Sequence, residues 1–401
     1  MRFKTVLILA CFAGAVHAGS QQWKEECVGY YNMQVPVNIE VALYPLDGLL
    51  NTKRKPPEDG LDMGYFWPKI TFGDYYGVGE ETDTSVQSQF SVFRYANYRI
   101  SISTKNNTAI NLEQYKNKIK EIINTKIHNW KEKIKENSTL NISDSEVARE
   151  SEYKIKQYTN AFSIYRPKYY ELHFNIANRL YIFRPEAVPL LADKTVNVDE
   201  AARIAEPAMQ SLMKSFRPRE LYEVPSEQGF CLPYGFITGD SGQESHDMGV
   251  TYRLIDHPDV TIFFQDMGIN KAFWKDDGSI KEAVTAMWTR SYLMGADKKE
   301  LLSPKWQKIE MDGREGMGTF VKATYNNVPT YDYNGHVTEH HNYINYGYLA
   351  YVRGAKETRN KKPDLLLYIS QSSSQVKDKP PMSKDEFFEI AKHITRSVTR
   401  R

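Results

Sequence analysis

Two hydrophobic periodicities alternate along this 401-residue chain, and together they limit its fold class. Apolar residues recur at every second position in 98–102 and 172–176, which is the pattern of a half-buried strand. Between 112 and 134 they recur every three or four positions, which predicts a long amphipathic helix with lysines on its exposed face. This mixture predicts an α+β fold in which mainly antiparallel sheets pack against helices.

A charged segment near the middle of the chain, 216–228, contains Pro218 and Pro225. Chains of this length usually form more than one domain, and domain boundaries fall in segments of this kind. We therefore predict two mixed α+β domains, an N-terminal one over 19–225 and a C-terminal one over 226–401.

Local signals predict where several elements begin or turn. Asn197 with Glu200, and Ser383 with Glu386, have the spacing of a capping box at a helix N-terminus. The second of these predicts a final helix, and the first predicts a helix through about residue 216. Asp312-Gly313 is a favoured turn dipeptide and predicts a hairpin within 306–324.

The first 18 residues have the features of a secretory signal. Arg2 and Lys4 precede an apolar stretch over 5–16, and small residues lead to a cleavage site after about Ala18. No apolar run reaches the roughly 20 residues of a transmembrane helix. We therefore expect an exported protein without an integral membrane segment, with lipidation of Cys11 as an open alternative.

Cys27 and Cys231 are the two cysteines that follow the signal segment. Thiols in an oxidising compartment often pair, so we expect a disulfide between them. Two separately buried thiols are the alternative. The chain has 52 Lys and Arg against 50 Asp and Glu, so it lacks the basic character of a nucleic-acid-binding protein.

Two segments resemble catalytic motifs. Gly239-Asp240-Ser241-Gly242 resembles the nucleophile segment of trypsin-like proteases, but Gln243 follows where another glycine is expected, and we interpret the segment as a polar turn. His336-Val337-Thr338-Glu339-His340 fits the H-x-x-E-H zinc pattern, which requires a helix. Turn-forming residues precede it and alternation follows it, so we expect a solvated loop. We expect no metal and no cofactor.

Several segments together resemble one bacterial family, the immunity proteins that neutralise class-four lipase effectors of the type VI secretion system. They are Cys27-Val28-Gly29 leading to Val35-Pro36, Gly229-Phe230-Cys231 before Gly235-Phe236-Ile237, His257-Pro258-Asp259-Val260, Pro363-Asp364-Leu365-Leu366-Leu367, and a last helix ending in Arg396 and Arg400. The resemblance covers nearly the whole chain after the signal, and it depends on the order and spacing of these segments together. Tyr30 departs from the family pattern, where arginine is expected, and 111–141 has no close counterpart.

The resemblance implies a periplasmic protein whose two domains bind a cognate phospholipase effector and block its access to substrate. It implies no catalysis by the protein itself. We expect a monomer in the free state. A Cys27–Cys231 disulfide would then tie the openings of the two domains together. An exported zinc hydrolase using His336, Glu339 and His340 is one alternative function, and a periplasmic binding protein without a toxin partner is another.

The chain is rich in aromatic residues, with 27 Tyr, 18 Phe and 6 Trp. Tyrosine and tryptophan are enriched in the energetic centres of interfaces. We predict partner contacts in two aromatic stretches, at Phe66, Trp67, Tyr75, Tyr76, Tyr331 and Tyr333. The alternative for each of these side chains is a place in the core.

Overall fold

A computed structural model describes residues 22–46, 70–72, 91–136, 142–186, 196–269, 276–290, 293, 295–332, 334–376 and 379–401. These residues include five α-helices and twenty β-strands, most of which pair antiparallel, and the predicted α+β class is confirmed. Within these ranges no helix is both long enough and apolar enough to cross a membrane.

The helices are α1 (Leu112–Glu136), α2 (Asp144–Ser151), α3 (Val198–Ser215), α4 (Ile280–Arg290) and α5 (Lys384–Ser397). Two short 3-10 helices cover Lys356–Thr358 and Ser373–Gln375. The strands are β1 (Trp23–Val28), β2 (Tyr31–Pro36), β3 (Ile39–Val41), β4 (Val92–Tyr95), β5 (Tyr98–Ile102), β6 (Lys154–Gln157), β7 (Ala161–Arg166), β8 (Tyr169–Ile176), β9 (Arg179–Pro185), β10 (Phe216–Pro218), β11 (Gly229–Leu232), β12 (Gly235–Thr238), β13 (His246–Leu254), β14 (Val260–Met267), β15 (Lys298–Leu301), β16 (Gln307–Met311), β17 (Arg314–Tyr331), β18 (Val337–Val352), β19 (Asp364–Gln371) and β20 (Thr399–Arg400).

One 14-stranded sheet contains strands from both halves of the chain. Its main path runs β15-β17-β18-β19-β14-β13-β4-β5-β9-β8-β7-β6, with β16 beside β17 and β3 beside β13. The two halves meet where β13 pairs with β4, with His246 opposite Tyr95. The predicted division of the chain at residue 225 stays a prediction, because the strands on its two sides share this sheet.

Two smaller sheets close the molecule. Strands β1, β2 and β20 form the first of them, in which the last strand, β20, pairs with β2. Strands β10, β12 and β11 form the other, and a backbone bridge between Gly29 and Cys231 connects the two. The beginning of the described chain, its middle and its last residues therefore meet at one place.

The helices cover the sheet on different faces. Side chains of α3 and α5 pack into the largest core, while α4 packs on a second cluster through Met287 and Trp288. On β19, Leu365 and Leu367 face the larger core and Leu366 faces the cluster under α4, as strand alternation requires. Helix α1 covers a third cluster formed with β7 and β9.

Most local predictions are confirmed. The stripe over 112–134 forms α1, and Asp312 and Gly313 both have positive φ in the turn between β16 and β17. Ser383 and Glu386 form a complete capping box. Asn197 caps α3 through the backbone N–H of Glu200, but the Glu200 side chain binds Arg203 instead of completing the box.

Candidate partner-binding surface

Strands β17 and β18 extend past the rest of the sheet as a two-stranded ribbon, which we define as residues 326–344. The neighbour on one side, β15, pairs with β17 only up to Thr324. The neighbour on the other side, β19, pairs with β18 only from Gly347. Within the part of the chain that the structure describes, the two strands of the ribbon pair only with each other.

The ribbon carries much of the exposed apolar surface. Among the described residues, four large hydrophobic side chains are exposed, and three of them are Tyr331 (58%), Val337 (48%) and Ile344 (41%). The fourth, Ile255 (56%), lies in the turn after β13. Exposed apolar groups gathered on one element indicate an interaction site more strongly than scattered ones do.

The register of the ribbon places different groups on its two faces. Thr330 lies opposite Glu339, and Pro329 lies opposite His340. His341 shares a face with Glu339, and the His341 Nε2 and Glu339 Oε2 atoms are 3.2 Å apart. His340 points to the other face because successive strand side chains alternate.

The turn of the ribbon is organised around one carboxylate. The Asp332 side chain accepts hydrogen bonds from the backbone N–H groups of Asn334 and His336, both at 2.8 Å. The hydrogen bond from His336, with the others around it, holds the pKa of Asp332 below its usual range. Asp332 therefore fixes the path of the chain between the two strands.

The H-x-x-E-H segment lies in this ribbon, and the expectation of a solvated loop there is wrong. Residues from Val337 belong to the exposed strand β18, because the segment pairs with β17. In an extended strand His336 and His340 do not form the helical pair of a zinc site, as argued from the sequence. No cluster of three metal-ligating side chains occurs among the residues that the structure covers.

The predicted partner-contact residues are only partly visible. Tyr331 is exposed at the end of β17. Phe66, Trp67, Tyr75, Tyr76 and Tyr333 lie outside the described residues. Sequence reasoning missed Val337 and Ile344, which follow the selected tyrosines along the chain.

A disulfide lies where β1, β11 and β20 come together, a place that we call the junction of the chain ends. Cys27 and Cys231 form a disulfide with their Cα atoms 5.8 Å apart, in agreement with the predicted pairing. Beside it, the carboxylate of Glu26 binds the guanidinium of Arg219, and both side chains are buried. The Glu26 carboxylate also accepts a hydrogen bond from the backbone N–H of Tyr222 at 2.6 Å.

Arg219 donates side-chain hydrogen bonds to three chain segments at this junction. Its side chain donates to the carbonyl oxygens of Cys27 and Leu232 at 3.0 and 3.1 Å. It also donates to the carbonyl oxygens of Glu220 and Glu223 at 3.2 and 3.1 Å. Burial alone lowers the pKa of this guanidinium, but Glu26 reverses the effect and raises it.

A second buried network explains the Gly239-Asp240-Ser241-Gly242 segment. The Asp240 carboxylate accepts hydrogen bonds from the hydroxyls of Tyr30, at 2.7 Å, and Tyr95. Burial and then this bond to Asp240 raise the pKa of Tyr30. The guanidinium of Arg400 lies 5.2 Å from the centre of the Tyr30 ring, so an arginine reaches this place from the last strand.

His246 and Asp266 form a pair that resembles part of a catalytic triad. His246 Nε2 lies 2.7 Å from Asp266 Oδ1, and His246 Nδ1 lies 2.7 Å from the carbonyl oxygen of Glu244. Because both ring nitrogens are engaged and the ring is buried, His246 cannot accept a proton from Ser241. The segment is therefore a structural turn, as the sequence predicted.

Comparison with known proteins identifies the C-terminal part. Residues 223–401 match the family model of the Tle cognate immunity protein 4 C-terminal domain. This part of the chain is therefore similar to that domain. The resemblance predicted from the sequence is thereby confirmed, and the family domain contains the ribbon and one cysteine of the disulfide.

The fold agrees with solved immunity proteins over nearly the whole chain. The apo structure of the immunity protein TplEi of the type VI secretion system (T6SS) from Pseudomonas aeruginosa covers 94% of this chain and 97% of its own, with a TM-score of 0.50 and 14% identity. The Tle4–Tli4 complex structure gives the same values. At this identity the similarity establishes the fold. No curated protein sequence matches the chain.

Proposed function

We propose that the protein is an immunity protein that binds a cognate lipase effector of the type VI secretion system and inhibits it as a stoichiometric complex. The observation that carries this proposal is the match of residues 223–401 to an immunity domain defined by its cognate effector. The fold supports it, because one of the similar structures is that of the Tle4–Tli4 complex.

The inhibitor acts by blocking the access of substrate to the effector, and it performs no chemistry itself. Its buried His246–Asp266 pair lacks an available nitrogen for proton transfer. Its H-x-x-E-H segment is extended rather than helical. The extended H-x-x-E-H segment removes support from the zinc hydrolase alternative, and the engaged nitrogens of His246 remove support from serine-type catalysis.

We place the protein in the periplasm, exported by a signal peptide that is cleaved after about Ala18. The sequence of the first 18 residues supports this location. The disulfide between Cys27 and Cys231 supports it too, because disulfides persist in oxidising compartments.

The contact residues that we propose are the two aromatic stretches selected from the sequence. Tyr331 lies in the ribbon, and its exposure favours contact with a partner over a place in the core. Tyr333 is proposed beside it on sequence grounds. Alanine at both positions should weaken binding of the effector without lowering the melting temperature. Phe66, Trp67, Tyr75 and Tyr76 are proposed as a further contact region on sequence grounds.

Co-purification followed by inhibition tests the function. Tagged mature protein is used to capture partners from periplasm of its host, and bound proteins are identified by mass spectrometry. The proposal predicts a lipase that is inactive in the complex and active after separation. A captured lipase that keeps full activity in the complex, or the absence of any lipase together with about one tightly bound zinc per chain, would overturn it.

A further inference from the structure

We infer that the ribbon enters a concave cleft of the effector and buries both of its faces there. This inference rests on the proposed function and specifies how the complex forms. The partner that covers the ribbon is therefore the effector, and the ribbon fits between the two walls of the effector's cleft.

The exposure of the ribbon on both faces is the first observation. Thr330 and Glu339 lie on one face, His340 lies on the other, and all three side chains are exposed. A sheet that docks through one face normally keeps the other packed on its own core. Val328 and Tyr343, near the base, still pack on the cluster under α4. From Thr330 outward no described element covers either face of the ribbon, so only a partner with two walls covers both faces there.

The strand edges give a second, independent observation. Natural proteins blunt exposed strand edges with charged residues, above all lysine, and with proline. The chain has 52 Lys and Arg, yet none occurs within 326–344, and Pro329 is the only proline there. The edges of the ribbon thus lack cationic protection, and what protects them is Pro329 together with two irregularities of pairing, between Tyr325 and Val328 and between Thr330 and Tyr331.

Composition supports the same conclusion. Interfaces are enriched in tyrosine and depleted in lysine, and binding loops favour tyrosine and asparagine. The ribbon contains three tyrosines, four asparagines and three histidines, and its only formal charges are those of Asp332 and Glu339. Such a surface makes hydrogen bonds along a cleft without burying cations.

The base of the ribbon is fixed to the body of the protein, which lowers the entropic cost of binding. The rings of Tyr325 and Tyr343 stack with their centres 4.9 Å apart. Ser373 donates from its backbone N–H to Asn345 Oδ1 at 2.8 Å and from its hydroxyl to the carbonyl oxygen of Ile344 at 2.7 Å. An isolated hairpin is only marginally stable, so these contacts at the base stabilise the ribbon in the conformation that binds.

One matched pair of variants tests burial of the two faces. Thr330→Arg places a bulky cation on one face and His340→Arg places it on the other, while Ile255→Arg serves as an exposed control away from the ribbon. Each ribbon variant should raise the half-inhibitory concentration for the purified effector at least about tenfold, since hot-spot residues reach such values. The control should match the wild type, and all melting temperatures should be unchanged.

The outcomes separate this inference from the proposed function. If the wild type does not inhibit the effector, the proposed function fails. If the wild type inhibits but only one face variant is affected, the ribbon docks through a single face and the two-walled cleft is wrong. If neither variant is affected, the ribbon is not part of the interface.

A shortened ribbon provides a second test. Replacement of 326–342 by Asn-Gly joins Tyr325 to Tyr343, which are already paired, through a two-residue turn suited to a hairpin. The stacked tyrosines at the base are kept, but Val328, which packs on the cluster under α4, is removed. The protein should therefore still fold, with a slightly lower unfolding temperature. Inhibition should be lost, and full inhibition by this variant would overturn the inference.

Discussion

Substitution of Arg219 tests whether the buried ion pair holds the junction of the chain ends together. Arg219→Met keeps much of the side-chain volume but removes the charge and every hydrogen-bond donor. It leaves the Glu26 carboxylate buried, and among the described residues its remaining donors are the backbone N–H groups of Cys27 and Tyr222. It also leaves the carbonyl oxygens of Cys27 and Leu232 without this partner.

The expected magnitude follows from burial. Removing one member of a buried ion pair typically costs about 3–5 kcal/mol, because the remaining charge is uncompensated. A typical domain is stable by about 5–15 kcal/mol, so the variant should fold but with a large part of its free energy of unfolding lost. Adding Glu26→Gln to Arg219→Met should recover part of this loss, since the two residues are directly coupled.

Urea denaturation of the oxidised proteins measures the effect, and Arg217→Met is a matched control two residues away. Arg217 binds Glu223 and Glu227 at the surface, with its side chain one-third exposed. Exposed pairs contribute at most about 1 kcal/mol, so the control should lose little. If Arg219→Met and Arg217→Met lose equal amounts, the ion pair does not stabilise the junction and the reasoning is refuted.

Three further predictions concern the same region. Gly29→Ala should destabilise the protein by about 2 kcal/mol or more in thermal unfolding, because the φ of Gly29 is +60° and a Cβ would overlap a carboxylate oxygen of Asp266. Gly239→Ala, at φ +70°, has open space for the Cβ and should lose only about 1 kcal/mol. Equal losses in the two variants would contradict this reasoning. Serine in place of Cys27 and Cys231 should lower stability by up to about 5 kcal/mol, and an unchanged urea midpoint would contradict a disulfide that closes 204 residues. Burial lowers the pKa of His246, but the Asp266 carboxylate raises it by a larger amount, so the net pKa is above its usual value. The contribution of protonated His246 to the free energy of unfolding is therefore complete below about pH 6.5 and is lost as the pH rises through the folded-state pKa. His246→Asn should reduce this dependence of stability on pH, and an unaltered pH profile would refute the prediction.

Local patterns predicted the elements whose residues interact with near neighbours. Helix α1 follows from a stripe of apolar residues that repeats over seven turns, and the turn at Asp312-Gly313 follows from the backbone freedom of these two residues. The capping box at Ser383 likewise depends on residues three positions apart. In each case the signal and the structure that it specifies lie within a few residues.

Long-range pairings could not be predicted in the same way. The contact of β4 with β13 joins residues about 150 positions apart, and no local pattern specifies such a partner. The Glu26–Arg219 pair is similarly distant, and neither residue differs in type from the many charged residues at the surface. The cysteine count pointed to this junction, because Cys27 and Cys231 are the two cysteines after the signal segment, and the family resemblance then placed them at the openings of two domains.

The ribbon was missed for a different physical reason. Strand prediction relies on alternation of apolar and polar residues, which arises when one face is buried. Both faces of the ribbon are exposed, so its sequence has no such alternation and reads as a polar loop. The presence of Tyr331 and Tyr333 was the signal that selected this segment, and the exposure of Tyr331 agrees with it.

Titration of the purified effector with the mature protein tests the central claim most directly. Lipase activity is measured at an effector concentration well above the dissociation constant, and the mass of the complex is determined in the same samples. The account predicts a linear loss of activity that ends at one inhibitor per effector, with a complex of that composition. Undiminished activity in the presence of excess protein, or inhibition without a stable complex, would contradict it.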